Sequence, residues 1–282
     1  MKDANISFHT EDNSFLFSHS KILGYSNMSS NHFHSEYEIY YLIEGERYHF
    51  ISDRTYHIKP GDIVFINSFN LHRTFDVGIP NHERMLIRFT KEFLKCDDEL
   101  QGIIHCLFDN NHNVIRLPVT NQTTIEKLLS TMKVENQNKQ TGYKTLIQSL
   151  LSELLVSVCR YVEENHFDSF EHPSEAHKRI SEIAQYINTN YHHQLTLASL
   201  SGHFFISPYY LTRIFKASTG FTIIEYLNNI RVKQAQKLLI ESKLKINIIY
   251  EVCGFGSVSN FGRVFRSISG CSPINYRNIN KL

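Results

Sequence analysis

Apolar positions over the first 118 or so residues come in short runs broken by polar turns. EIYYLIEG (38–45), RYHFISDRTYHIKPGDIVFIN (47–67) and RMLIRFT (84–90) are rich in Tyr, Phe and Ile and contain period-two stretches, the pattern of half-buried strands. Glu44-Gly45-Glu46, Ser52-Asp53-Arg54 and Pro60-Gly61-Asp62 punctuate them as turns. Many short strands with little helix between them predict a β-barrel or sandwich. From about residue 122 the period changes. Ile147, Leu150, Leu151, Leu154, Leu155, Val158, Tyr161 and Val162 recur at three- and four-residue spacing, which predicts one amphipathic helix over 144–164. A shorter helix around Ile125, Leu128, Leu129 and Met132 precedes it across the polar loop ENQNKQTG (135–142). Two uses stay open for the long stripe: packing on the strands, or a two-fold subunit seam. The polar stretch FEHPSEAHK (170–178), with Pro173, reads as a hinge.

The last hundred residues repeat themselves at an offset of 50: SPYYLTRIFK (207–216) lies over SVSNFGRVFR (257–266). The match continues with Gly220 over Gly270, Thr222 over Ser272 and Tyr226 over Tyr276. A short helix-like run precedes each copy, LTLASLSGHF in the first and KINIIYEVCGF in the second. One supersecondary unit has been used twice, and its pattern is helix-turn-helix. In the second helix of each copy Leu211, Ile214 and Phe215, or Phe261, Val264 and Phe265, form the buried stripe. Ser207 and Ser257 stand at the N-cap position, and Pro208 occupies the first helical position, where its missing N–H costs nothing. The opposite faces carry Tyr209, Thr212, Arg213 and Lys216, or Ser259, Asn260, Arg263 and Arg266. Such a helix can enter a DNA major groove, its first turns facing base edges and its basic residues reaching bases or phosphates. A long helix over 225–240, with a stripe of Tyr226, Leu227, Ile230, Ala235, Leu238 and Leu239, joins the copies and would space the two reading helices.

Charge supports this placement. The chain of 282 residues has a net charge of only +1. Residues 1–177 nevertheless hold 16 Lys and Arg against 24 Asp and Glu, whereas residues 178–282 hold 13 against 4. A basic third joined to an acidic remainder places a polyanion partner at the C-terminal part. With 41% apolar and 20% charged residues, the composition is that of an ordinary soluble protein with room for two domains. The stretch MKDANISFHTEDN is acidic and lacks an apolar run, so no secretory signal is expected. LIQSLLSELLVSVC (146–159) is too short to span a bilayer. Five scattered cysteines without a CxxC pair fit reduced thiols in a cytoplasm better than a disulfide frame or a zinc site.

The C-terminal region resembles the DNA-binding domain of the AraC/XylS family of bacterial transcription regulators. The resemblance is carried by Gly254-Phe255, SNFGRVFR, Gly270, Pro273 and Tyr276-Arg277. Two departures stand out. Where the family has a small alanine in the first helix of each motif, this chain has Ser201 and Tyr250, and the tyrosine implies local repacking of the second motif. Gly262 inside the second recognition helix costs about 1 kcal/mol relative to Ala. The second copy is therefore expected to hold backbone more than it reads bases.

The resemblance implies an N-terminal cupin-type barrel for a small effector. Residues 32–72 resemble the cupin pattern: His32-x-His34, Glu38, Gly45, Pro60-Gly61-Asp62 and His72. His32, His34 and Glu38 share strand parity and can face one interior. These groups and His72 would suit Fe, Mn, Zn or Ni in an enzyme-type cupin. Effector contact or mutual hydrogen bonding is the favoured role for them, with Tyr40, Tyr48, His49 and Arg88 supporting a pocket. The expected architecture is thus an α+β multidomain chain. It comprises a cupin-like β-barrel (1–120), a helical pair that dimerises (121–170), a linker (171–178) and an all-α double helix-turn-helix domain (179–282). The expected function is that of an effector-controlled, cytoplasmic, non-enzymatic transcription regulator. Its partners are double-stranded promoter DNA, a sugar or other metabolite, a second copy of the chain and, for an activator, RNA polymerase, with no membrane. No cofactor is expected. The alternative is a metal-dependent cupin enzyme or metal sensor fused to a DNA-binding domain. No phosphate-binding glycine loop or nucleophile elbow is present to support catalysis.

Overall fold

The computed structural model describes residues 5–25, 36–68, 70–78, 80–109, 113–165 and 172–279. Two compact units result: residues 1–52 with 56–172, and residues 53–55 with 173–282.

In the first unit the strands are β1 (Asn5–His9), β2 (Phe15–Ile22), β3 (Tyr37–Glu44), β4 (Arg47–Ile51), β5 (Arg54–Ile58), β6 (Asp62–Ile66), β7 (His72–Asp76), β8 (His82–Phe89) and β9 (Val114–Arg116). They pair into a six-stranded sheet, β1-β2-β8-β3-β6-β9, and a three-stranded sheet, β5-β4-β7. A closed barrel was one expectation. Among the described residues the strands form two separate ladders instead, since the five-residue β4, β5 and β7 pair with one another. All three expected turns sit where strands reverse. Gly45 (φ 87°) and Gly61 (φ 85°) adopt the left-handed region, where a side chain is strained. A Cβ on Gly45 would also stand 2.3 Å from the Asn81 carbonyl oxygen.

Alternation along β3 gives the large sheet two buried faces. Tyr37, Ile39 and Tyr41 join Phe15, Phe17, Ile63, Phe65, Ile87 and Phe89 on one face, under the helices. Tyr40 and Leu42 join Leu16, Val64, Ile66 and Leu86 on the other, where Ile51, Tyr56 and Ile58 of the small sheet meet them. Each large apolar side chain sealed this way contributes about 1.5–3 kcal/mol relative to leaving it exposed. Asp62, which has no exposed surface, locks the β6–β9 edge. It accepts the Lys59 N–H at 2.9 Å, and Arg116 grips both of its oxygens at 2.8 Å.

The helices on this unit are α1 (Lys91–Leu94), α2 (Asp98–Phe108), α3 (Val119–Asn138) and α4 (Tyr143–Glu164). The sequence reading placed only strands before residue 118, so α2 corrects it. Its signals were present: Asp97 caps it, accepting the Leu100 N–H at 2.9 Å, and Ile104, Leu107 and Phe108 are its buried stripe. The helix before α4 is also longer than expected, running 20 residues to Asn138 through the first half of the polar segment read as a loop. In α4, Ile147, Leu151, Leu154, Leu155 and Val158 are buried, and Leu150, Tyr161 and Val162 are partly buried against the same core. The stripe is therefore used on the sheet. By length and composition α4 could cross a bilayer, a test that the core helix of a soluble protein also passes.

The second unit carries α5 (Glu175–Asn190), α6 (Leu197–His203), α7 (Pro208–Thr219), α8 (Ile223–Glu241), α9 (Ile246–Val252), α10 (Val258–Ser269) and α11 (Pro273–Ile279). The helix α5 starts inside the stretch read as a hinge, where Ser174 caps it. The predicted joining helix is α8. Its stripe holds except at Leu238, which is half-buried, and Arg231, Val232 and Gln236 join the buried side. Arg231 donates to the carbonyls of Tyr191 and His193, both at 2.8 Å, and lies over the Phe255 ring. A cation in the core is tolerated because these acceptors meet it.

Candidate nucleic-acid interface and effector site

Both repeat copies fold as helix-turn-helix pairs, α6–α7 and α9–α10. Ser207 accepts the Tyr210 N–H and Ser257 the Asn260 N–H, each at 3.2 Å, so the two serines act as N-caps. Each reading helix stops at a left-handed glycine, Gly220 (φ 76°) or Gly270 (φ 74°), whose N–H bonds back to Lys216 or Arg266. Leu211 and Phe215 are sealed on one side of α7, and Phe261, Val264 and Phe265 on one side of α10. Ile214 is only half-buried.

Opposite these stripes, Pro208, Tyr209, Thr212, Arg213 and Lys216 stand exposed on α7 with Ser207 at its cap. Ser259, Asn260, Arg263 and Arg266 stand exposed on α10 with Ser257 at its cap. Arg213 lies over the Tyr210 ring at 5.8 Å, whereas Arg263 donates to Asn260 Oδ1 at 2.9 Å. The remaining repeat residues have structural work. Gly254 (φ 79°) passes so close to the Tyr191 carbonyl oxygen that a Cβ would stand 2.6 Å from it. Arg277 closes the end of α8 by donating to Leu239 O at 3.2 Å and Leu244 O at 2.6 Å. Ser201 is buried, whereas Tyr250 stays half-exposed: the second motif accommodates its larger residue by leaving it at the surface.

In the first unit a polar cluster faces the space between the sheets. Glu38 and Tyr40 project from β3, and the register pairs Glu38 with Arg88, Tyr40 with Leu86 and Leu42 with Arg84 on β8. From the small sheet the register pairs Arg47 with Asp76, His49 with Thr74 and Ile51 with His72. The Tyr40 and His49 rings meet edge to face at 4.4 Å, and the Arg84 guanidinium lies 5.5 Å over the Tyr40 ring. Arg47 pairs with Asp76. His72 donates its Nδ1–H to Asn70 O at 2.8 Å, which turns Nε2 toward Glu38 at 3.9 Å.

Electrostatics follow from this crowding. Burial pushes the Tyr40 hydroxyl up to about 12, against the pull of Arg84 and Arg47. Burial, then Arg47, holds His49 well below the ordinary imidazole value and His82 down at about 4. Both imidazoles are therefore neutral near pH 7. The Tyr40 hydroxyl and His49 Nε2 are buried and have no hydrogen-bond partner among the described residues. Leaving such atoms unmet costs about 1–3 kcal/mol each, so a polar ligand entering here would be held by them.

Of the expected effector residues, Glu38, Tyr40, His72 and Arg88 lie on the strand faces that bound this interior. Among the described residues Arg88 Nε has no partner. His32 and His34 lie outside the described residues, so Glu38 and His72 are the two placed members of the candidate metal set. Tyr48 pairs with Phe75 in the register and has opposite parity to Arg47 and His49, so it belongs to the other face. Sequence reasoning missed Arg47, Thr74, Asp76, His82 and Arg84. Parity could have found two of them, since Arg47 stands two residues from His49 and Arg84 four from Arg88.

Comparison with known proteins matches both halves. An AraC-like ligand binding domain matches residues 22–78, and a helix-turn-helix domain matches residues 200–279. Both parts of the chain are therefore similar to regulators of the AraC type. It is 24% identical over 255 residues to the HTH-type transcriptional activator RhaR of Mannheimia succiniciproducens, covering 87% of this chain and 86% of that one. It is 27% identical over 256 residues to the HTH-type transcriptional regulator YfiF of Bacillus subtilis, covering 89% and 79%. Among solved structures, the C-terminal domain of AraT, a response regulator from Geobacillus stearothermophilus, is 31% identical over 39% of this chain and 91% of that one, with a TM-score of 0.37. The chain is a transcription regulator with an N-terminal ligand-binding domain and a C-terminal helix-turn-helix domain that binds DNA.

Proposed function

We propose that this chain is a one-component, cytoplasmic regulator whose effector, a sugar or other polar metabolite, sits between the two sheets of a cupin-like domain (1–120). The observation that carries the DNA half is the matched pair of capped helices exposing Arg213 and Lys216, or Arg263 and Arg266. The face of α7 with Ser207, Pro208, Tyr209, Thr212, Arg213 and Lys216 reads DNA, joined by Ser257, Ser259, Asn260, Arg263 and Arg266 on α10. The effector contacts Glu38, Tyr40, His72 and Arg88, joined by His49 and Arg84, and by His32 and His34 from the adjoining segment. Residues 121–170 form a helical pair that dimerises the chain. Since the α4 stripe packs on the sheet, the seam uses the outer faces of α3 and α4, where Val134 and Leu146 are exposed. The stretch before α5 links to the DNA-binding domain, and RNA polymerase is a partner where the regulator activates.

An effector acts only by binding one arrangement of the chain better than another. The test is thermal unfolding of the purified chain across a panel of sugars and small metabolites, followed by DNA binding in the presence of any stabilising compound. The reading predicts a compound that raises the unfolding temperature and changes DNA affinity. Tyr40→Phe and Arg84→Leu should blunt both effects while effector-free DNA binding is unchanged. A stabilising compound whose effect survives both substitutions would place the effector elsewhere.

A further inference from the structure

Cys106 and Cys159 look like unrelated thiols in the sequence. The fold brings them together on the helices that cover the large sheet. Cys106 stands in the last turns of α2; Cys159 stands on α4, with Glu163 one turn further on the same face. The two sulfurs and a Glu163 carboxylate oxygen all lie within 4.8 Å of one another, and Cys159 Sγ is 3.9 Å from Glu163 Oε1. A tetrahedral thiolate and carboxylate shell has donor-to-donor edges of about 3.3–3.8 Å. The three donors therefore need to close by only about an ångström.

The site has a dry side and a wet side. Cys159 is buried, Cys106 half-buried and Glu163 exposed. Cys159 and Glu163 line a cleft of about 390 Å³, with Arg160 balanced by Glu99 and with Gly102, Ile103 and Val156 around them, which supplies an entry path. A carboxylate is a poor neighbour for a redox thiol pair, because it disfavours the thiolate that would attack. For a divalent cation the same carboxylate is a third ligand.

We propose that Cys106, Cys159 and Glu163 form a binding site for a borderline-soft divalent cation of the zinc class, with water in the fourth position. On binding, each thiol releases its proton to solvent. Two thiolates and a carboxylate then face the ion's two positive charges, leaving the site at −1, and no electrons are transferred. The ion ties α2 to α4, so its occupancy stiffens the helical layer of the first unit.

The test is titration of the full chain, reduced with a phosphine, with Cd²⁺ as the probe and ultraviolet thiolate-to-metal charge transfer as the readout. The band separates this site from the Glu38 and His72 region, which has no thiol. One Cd²⁺ per chain is expected, displaced by Zn²⁺, with the band lost in Cys106→Ser and in Cys159→Ser and kept in Cys96→Ser. Glu163→Gln should retain the band and weaken affinity on the order of tenfold or more, since losing even an outer partner of a metal ligand costs that much. Because Cys159 is buried, Cys106→Ser and Glu163→Gln carry the test if Cys159→Ser fails to fold. Three results would overturn the site: no band, a band that survives Cys106→Ser, or a Cys106–Cys159 disulfide formed in air by a protein that takes up no Cd²⁺ when reduced.

Discussion

Asp62 shows how a single side chain fixes an element. Its carboxylate is sealed from water and met by Lys59 N–H and both arms of Arg116. Arg116→Ala would leave that charge short of its main partner, with an expected loss of roughly 2–3 kcal/mol, measurable by urea unfolding. Arg116→Lys should recover only part of it, since one ammonium cannot make the two-armed contact. The buried imidazoles make a second residue-scale prediction. His82 titrates at about 4 in the folded chain, below its ordinary 6.5, and His49 is also depressed. As pH falls the unfolded chain takes up these protons first, so stability declines from about pH 6.5 and is lost progressively toward pH 4. The unfolding temperature should drop over that window, and His82→Gln should flatten the slope; an equal slope in the variant would show that His82 is not its source. At this scale the sequence was half legible. Residue types named Glu38, Tyr40 and His72, but the roles of Arg47 and Arg84 depend on which strands face each other, and that is set by pairing distant in the chain.

Among elements, the repeat was the most legible feature because the local signals agreed: caps, stripe and terminal glycine recur in both copies and take their expected places in α7 and α10, apart from the half-buried Ile214. The helix α2 was missed because its surroundings read as strand, although Asp97 and the spacing of Ile104, Leu107 and Phe108 announced it. The polar segment 135–138 was read as loop, yet it continues α3, where buried Asn136 donates to Met132 O at 2.9 Å. Gly262 permits a direct test of element stability. A Cβ there meets nothing within 4 Å, so Gly262→Ala should stabilise α10 by about 0.8–1 kcal/mol, seen as a higher unfolding temperature of the helical domain. The two copies are also expected to differ in use. Arg213 lies over the Tyr210 ring, whereas Arg263 is already bonded to Asn260. Arg213→Ala should relax sequence preference more than Arg263→Ala across a set of mutated sites; equal relaxation would contradict the asymmetry.

For the whole molecule, the charge asymmetry and the change of period along the chain anticipated an N-terminal sheet domain and a C-terminal helical domain. Pattern could not say whether the strands close into a barrel, because closure depends on edge strands meeting rather than on any residue's type. The use of the α4 stripe likewise needed the fold: periodicity shows that a face is apolar, and only packing shows what covers it. The proposal that this helical domain reads double-stranded DNA through two matched helices can be tested on the whole chain. The most direct measurement is selection of bound sites from a random duplex pool by the purified full chain, with affinity for the winner followed from low to moderate salt. The expected result is an enriched bipartite site with half-sites about one helical turn apart, binding that weakens steeply with salt, and loss of enrichment in the Arg213→Ala, Arg263→Ala double variant. Enrichment unchanged in that variant, or binding indifferent to sequence, would contradict it.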